Sequence, residues 1–121
     1  MRVVSGKVRG LQLKTIESDS TRPTKDMVKE ALFSIIQFDI PAANVLDLFA
    51  GTGQLGIEAL SRGANRAVFI DERNDACALV NENLNKCRLH TAGQVIRSDY
   101  SIYLRHCTEK FDIIFLDPPY A

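Results

Sequence analysis

Residues 45–56 read Val45-Leu46-Asp47-Leu48-Phe49-Ala50-Gly51-Thr52-Gly53-Gln54-Leu55-Gly56. The first five make a short apolar run broken by one acid, the pattern of a strand buried on both faces. Glycines 51, 53 and 56 follow at G-x-G-x-x-G spacing, and a helical pattern opens at Gln54, runs to Arg62 and stops at Gly63. A strand, a glycine turn and a helix make the opening unit of a nucleotide-binding α/β fold. Asp71 stands 20 residues after Gly51, at the end of the next apolar run, Ala67–Asp71. A carboxylate there suits ribose hydroxyls.

Outward from this unit the alternation continues. Asp75 to Cys87 is predicted as a helix with an apolar stripe at Ala76, Leu79, Val80, Leu84 and Cys87, and Gln94–Ile96 as a third, short strand. Ser101–Cys107 reads as a short helix and Phe111–Leu116 as a fourth strand. Upstream, Thr24 is a plausible N-cap for a helix reaching about Gln37, with Val28, Ala31, Leu32, Ile35 and Ile36 at helical spacing and Pro41 ending the segment. Val3-Val4 and Leu11-Gln12-Leu13 flank a glycine-bounded turn and suggest a β-hairpin. Apolar strands alternating with helices mean an α/β protein whose parallel sheet is covered on both faces. Two parts are expected: an N-terminal hairpin and loop over residues 1–23, and a ligand-binding domain over residues 24–121.

Composition narrows the function classes. With 45% hydrophobic and 25% charged residues among 121, neither disorder nor membrane residence is indicated, and no apolar run approaches the roughly 20 residues of a membrane span. The first residues lack the apolar core of a signal peptide, so a cytoplasmic location is expected. Cysteines 77, 87 and 107 form no Cys-x-x-Cys pair, and His90 and His106 have no partner at metal-ligand spacing. No metal is expected. Net charge is zero, yet the first 25 residues carry Arg2, Lys7, Arg9, Lys14, Arg22 and Lys25 against Glu17 and Asp19. Such an arm suits contact with phosphates, or is simply a solvated surface.

Two features bear on the ligand and its chemistry. Asp47 just before the glycines is awkward beside a pyrophosphate and favourable beside a cation. The sulfonium and ammonium of S-adenosylmethionine fit it better than a nicotinamide dinucleotide, the competing ligand for such a loop. Asp99, after the third strand, either accepts a hydrogen bond from an adenine amine or caps the helix that follows. Both roles are compatible. The chain closes on Asp117-Pro118-Pro119-Tyr120. An amine on an aromatic base is a poor nucleophile, because its lone pair is delocalised into the ring. The Asp117 carboxylate and the Pro118 carbonyl can accept its two N–H bonds, the prolines hold the turn rigid, and Tyr120 offers a stacking face.

Together, the Asp47–Gly56 loop, Asp71 and Asp117-Pro118-Pro119-Tyr120 resemble the S-adenosylmethionine-dependent amino-methyltransferases. Met1-Arg2-Val3-Val4-Ser5-Gly6, Thr21-Arg22-Pro23-Thr24 with Val28, Glu30 and Leu32-Phe33, and Gly56-Ile57-Glu58-Ala59-Leu60-Ser61-Arg62-Gly63 narrow the resemblance. They are similar to the bacterial family that methylates N2 of a guanine in small-subunit (16S) ribosomal RNA. The resemblance implies a class I methyltransferase fold with a hairpin that helps hold RNA. It implies that Asp47, Gly51 and Gly53 line the methionine end of the cofactor, with Asp71 at the ribose and Asp99 at the adenine, and that Phe49, Ala50 and Thr52 also bind it. Asp117, Pro118, Pro119 and Tyr120 would hold the target base, and Arg2, Lys7, Arg9 and Arg22 the RNA. Adenine N6 methylation of DNA or RNA is the nearest rival. A nicotinamide oxidoreductase and an inactive RNA-binding module are more distant ones. Members of this family continue past the fourth strand, so the chain is expected to be a fragment, inactive alone and prone to self-associate through an exposed fourth strand.

Overall fold

The computed structural model describes residues 1–15 and 25–118. The elements in order are α1 (Lys25–Ile36), β1 (Asn44–Asp47), α2 (Gln54–Ser61), β2 (Arg66–Asp71), α3 (Asn74–Lys86), β3 (Gly93–Arg97), α4 (Tyr100–His106) and β4 (Ile113–Phe115). The strands form one four-stranded sheet in the order β3-β2-β1-β4, and each neighbouring pair is parallel. The expected α/β architecture is present, with boundaries that differ where hydrogen bonding decides them. β1 stops at Asp47 because the chain turns at Leu48 and Phe49, and α1 ends at Ile36, ahead of Pro41. β4 spans only Ile113–Phe115, with β1 as its neighbour. No described helix is long and apolar enough to cross a membrane.

Period-two alternation sends successive strand residues to opposite faces. Val45, Ala67, Phe69 and Phe115 enter the larger core, built with Ile57 and Leu60 of α2, Val80 and Leu84 of α3 and Phe33 of α1. Leu46, Val68 and Ile70 enter the smaller core, together with Tyr103 of α4. α2 reaches the sheet closely because a Cβ on Gly56 would lie 2.3 Å from Phe69 Cε2. The stripe expected for α3 is buried as written.

α1 requires a correction. The expected face included Val28 and Ile35, but these are 65% and 80% exposed among the described residues. The buried side chains are Lys29 and Phe33. Phe33 packs on Phe115 at 5.7 Å between ring centroids and lies under the Arg62 guanidinium at 4.9 Å. Lys29 is drawn inward by Glu58, 3.2 Å away, and by the Arg2 carbonyl at 3.0 Å. Leu32 and Ile36 of the expected face still pack partly buried against the core, so the ion pair and Phe33 shift the inward face of this helix rather than replace it.

The N-terminal arm (residues 1–15) is a hairpin reduced to one antiparallel bridge, Arg2–Gln12, with Val3 N–H donating to Leu11 O and Leu13 N–H to Met1 O. Its attachment is polar. Glu58, fully buried on α2, accepts from Val4 N–H at 2.9 Å and Ser5 N–H at 3.0 Å, and pairs with Lys29 and with Arg62 at 2.8 Å. Ser61 Oγ donates to Ser5 O and accepts from Val8 N–H. Gly6, at φ +93°, lies so close to the end of α2 that a Cβ there would sit 2.0 Å from Ser61 O. Removing one partner of a buried pair strands the other charge. Glu58→Ala should therefore cost about 3–5 kcal/mol in urea denaturation, with Lys29→Met plus Glu58→Met costing less than Glu58→Ala alone.

Candidate cofactor and base site

Because all four strands run the same way, their C-terminal ends share one edge of the sheet, where ligands of open α/β folds bind. Asp47 ends β1 and stands level with Phe69 on β2 and Phe115 on β4. Asp71 lies two residues beyond that level at the end of β2, roughly 7 Å further along the strand, and Asp117 follows the end of β4 by two residues. Asp99 follows β3 by two residues. The topology thus brings Asp47 and Asp71, which end their strands, and Asp99 and Asp117, which follow theirs, to one edge of the sheet.

The loop after β1 is shaped by glycine. Gly51 and Gly53 have φ of +57° and +84°, and Gly53 serves as N-cap of α2 in the left-handed region without a side-chain cap. Gly53 also admits Val80, whose Cγ1 would lie 3.1 Å from an added Cβ. The loop is tied to β2 twice. Ala50 N–H donates to Ile70 O at 2.9 Å, and Gly51 N–H donates to Asp71 Oδ2 at 3.0 Å. Asp71 Oδ1 accepts from Arg73 N–H. Asp71 is therefore held by backbone donors on both sides, a fixed and half-exposed carboxylate.

Asp47 is the unusual group. It is 1% exposed, and neither carboxyl oxygen has a hydrogen-bond partner among the described residues. Burial, with smaller contributions from the nearby charges of Asp117 and Asp71, pushes its carboxyl up to about 7. The backbone N–H groups of Gly56 and Phe49 pull the other way. Gln54 Oε1, at the start of α2, is likewise buried and unpartnered. Two acceptor side chains left without donors suit a cationic or N–H-bearing ligand, and the ammonium and sulfonium of S-adenosylmethionine meet that requirement.

Asp99 performs the capping role. Its Oδ1 accepts from Ser101 N–H at 2.8 Å and Ile102 N–H at 3.2 Å, as well as from the Ser101 hydroxyl. Those bonds hold its carboxyl below the usual range, with the Ser101 hydroxyl the main cause. Phe49 meets Tyr100 in a tilted ring pair at 5.2 Å, so an aromatic wall stands between the first loop and Asp99. Thr52 and Ala50 are buried, and Asp117 is exposed with Pro118 half-buried beside it. Pro119, Tyr120 and Arg22 lie outside the described residues. Arg2, Lys7 and Arg9 are exposed on the arm.

Residues 1–121 match the family model described as Conserved hypothetical protein 95. The chain belongs to this family. It is 45% identical to the Bacillus subtilis protein YlbH over 123 residues, 99% of this chain and 67% of YlbH. It is 37% identical over 124 residues to a Haemophilus influenzae protein named Ribosomal RNA small subunit methyltransferase D, covering 99% of this chain and 64% of that one. Among solved structures, yhhF of Escherichia coli superposes with a TM-score of 0.89 at 32% identity, covering 99% of this chain and 64% of that chain. The architecture is the class I methyltransferase fold, and the chain spans about two thirds of the length of these family members.

Gln54 and Glu58 lie inside the glycine-loop and Gly56–Gly63 motifs without a role of their own there, and Asn83 lies outside any motif. Asn83 left a signal, since it falls on the Ala76–Val80–Cys87 face of α3 as the one polar residue in an apolar stripe.

The Asp47 carboxyl makes stability depend on pH with a definite sign. Its folded value, about 7, lies above the ordinary 3.8. Between those values the folded state holds a proton that the unfolded chain has lost, so its contribution to stability declines as pH rises and is gone above about 7. In urea denaturation, Asp47→Asn should gain stability relative to wild type as pH rises from 4 to 8. A constant difference across that range would show that Asp47 is ionised throughout.

Proposed function

We propose that the complete protein transfers a methyl group from S-adenosylmethionine to the exocyclic N2 amine of a guanine in small-subunit ribosomal RNA, in the cytoplasm where ribosomal subunits assemble. The observation that carries the reading is the buried, unpartnered Asp47 carboxylate beside the glycine loop, on the same sheet edge as Asp117. Its place in a family whose Haemophilus influenzae relative is named for small-subunit ribosomal RNA supports the substrate class.

When bound, the cofactor supplies an electrophilic methyl group on a positively charged sulfur. Asp47 and Gln54 would offer acceptors to the amino-acid end, and Asp71, held by Gly51 and Arg73 N–H groups, would take the ribose hydroxyls. Asp99 keeps one oxygen on its helix cap and can direct the other to the adenine amine. Asp117 accepts an N–H bond of the target amine and aligns its lone pair for in-line attack. The proton that the methylated amine must lose would pass to Asp117 or to water. Asp117 need not be a strong base, because the methylated amine sheds its proton readily. The protein mainly positions two reactants, a contribution that reaches roughly 7–11 kcal/mol in well-oriented systems. A base taken from its stack costs a few kcal/mol, and stacking on Tyr120 would return about 1–3 kcal/mol. The arm, with Arg2, Lys7 and Arg9 exposed and Arg22 further along the chain, supplies the phosphate contacts.

The deciding experiment uses the complete protein with labelled cofactor, offered both small-subunit particles and free ribosomal RNA, and identifies the methylated nucleoside by mass. N2-methylguanosine is expected, whereas N6-methyladenosine would replace this reading with its nearest rival. Asp117→Ala should lower transfer by about a hundredfold or more while leaving S-adenosylhomocysteine affinity within a few-fold of wild type. Equal loss of both would remove Asp117 from the target-base role.

A further inference from the structure

Asn83 of α3 is fully buried, and its side-chain amide spans two distant pieces of chain. Its Nδ2 donates to Thr52 O at 2.9 Å, in the cofactor loop, and to Lys14 O at 3.0 Å, at the end of the N-terminal arm. Its Oδ1 accepts from Lys14 N–H at 2.8 Å. Both amide hydrogens and an acceptor position are thus committed to backbone.

We propose that Asn83 is a positioning residue that joins the RNA-holding arm to the cofactor loop, so that the two ligands bind cooperatively. The proposal rests on the functional reading above, which assigns RNA to the arm and S-adenosylmethionine to the loop. Thr52 lies between two glycines at positive φ, a stretch with little side-chain restraint of its own. The Asn83 bond holds the carbonyl side of the Thr52–Gly53 peptide, whose N–H donates to Ala50 O at 2.8 Å. A second tie runs from Thr52 Oγ1 to Met1 Sδ at 3.5 Å. On the arm side, Leu13 N–H to Met1 O and Val3 N–H to Leu11 O join Lys14 to the stretch that Glu58 and Ser61 hold on α2, so the Asn83 link adds the end of the arm to the same unit as the exposed Arg2, Lys7 and Arg9. The Lys14–Glu82 pair at 2.8 Å is solvent-exposed and adds little. The amide itself is planar and α3 is anchored by its buried stripe. A ligand that orders Gly51–Gly53 therefore orders Lys14, and RNA that holds the arm holds Thr52. Such coupling is reciprocal by thermodynamic necessity.

The test uses the complete protein with S-adenosylhomocysteine and a small-subunit ribosomal RNA transcript as probes. Calorimetry should show the cofactor product binding about fivefold or more tightly when the transcript is saturating. Asn83→Ala should reduce that ratio below about twofold, while Leu84→Ala, a packing change on the same helix, should keep it. A readout in the wild type needs no variant: S-adenosylhomocysteine alone should slow hydrogen exchange at the Lys14 amide. A wild type that binds both probes independently, or an unchanged Lys14 exchange rate, overturns the coupling and leaves the functional reading standing. Coupling that survives in Asn83→Ala overturns the role of Asn83. Failure of wild type to bind either probe removes the functional reading and this inference with it.

Discussion

The buried Glu58 carboxylate is the interaction on which the assembly of this chain turns. It gathers two arm N–H groups, the Lys29 ammonium and the Arg62 guanidinium around one point on α2. Four donors satisfy a charge that could not otherwise be held away from water. Its position then dictates three others: the arm lies across α2, α1 turns Lys29 rather than Val28 inward, and Arg62 is set over Phe33. A polar hub of this kind specifies geometry more sharply than apolar packing, because each bond has a direction as well as a distance.

The contrast with Asp47 is instructive. Both are buried acids, one saturated with donors and the other without a hydrogen bond among the described residues. The first holds the fold. The second is held by the fold in an unfavourable state, as groups at ligand sites commonly are. The parallel sheet makes this possible, since β1 lies between β2 and β4 and its last side chain is walled in on both sides.

Much of this could be read from the chain itself. The strand–glycine–helix unit, the α3 stripe and the acids at 47, 71, 99 and 117 were legible, because each depends on local spacing and on the rule that parallel strands end together. The rotation of α1 was not. Val28, Ala31, Leu32, Ile35 and Ile36 have helical periodicity, but Lys29 and Phe33 form an overlapping face, and only the partner at Glu58, 29 residues away in sequence, decides between them. Asp99 shows the reverse, where two readings from position were both open and local hydrogen bonds establish the cap. The polar links through Asn83 needed three dimensions, although a lone Asn on an apolar stripe was a visible hint.

The condition of Asp47 has a consequence for the protein in solution. With its carboxyl at about 7, the unliganded molecules near neutrality are a mixture of protonated and ionised forms. A cation entering beside it selects the ionised form and expels the proton. A proton and a cationic ligand would compete for this one buried carboxyl, so the acidity of the surroundings would weigh on such a site as much as the supply of ligand.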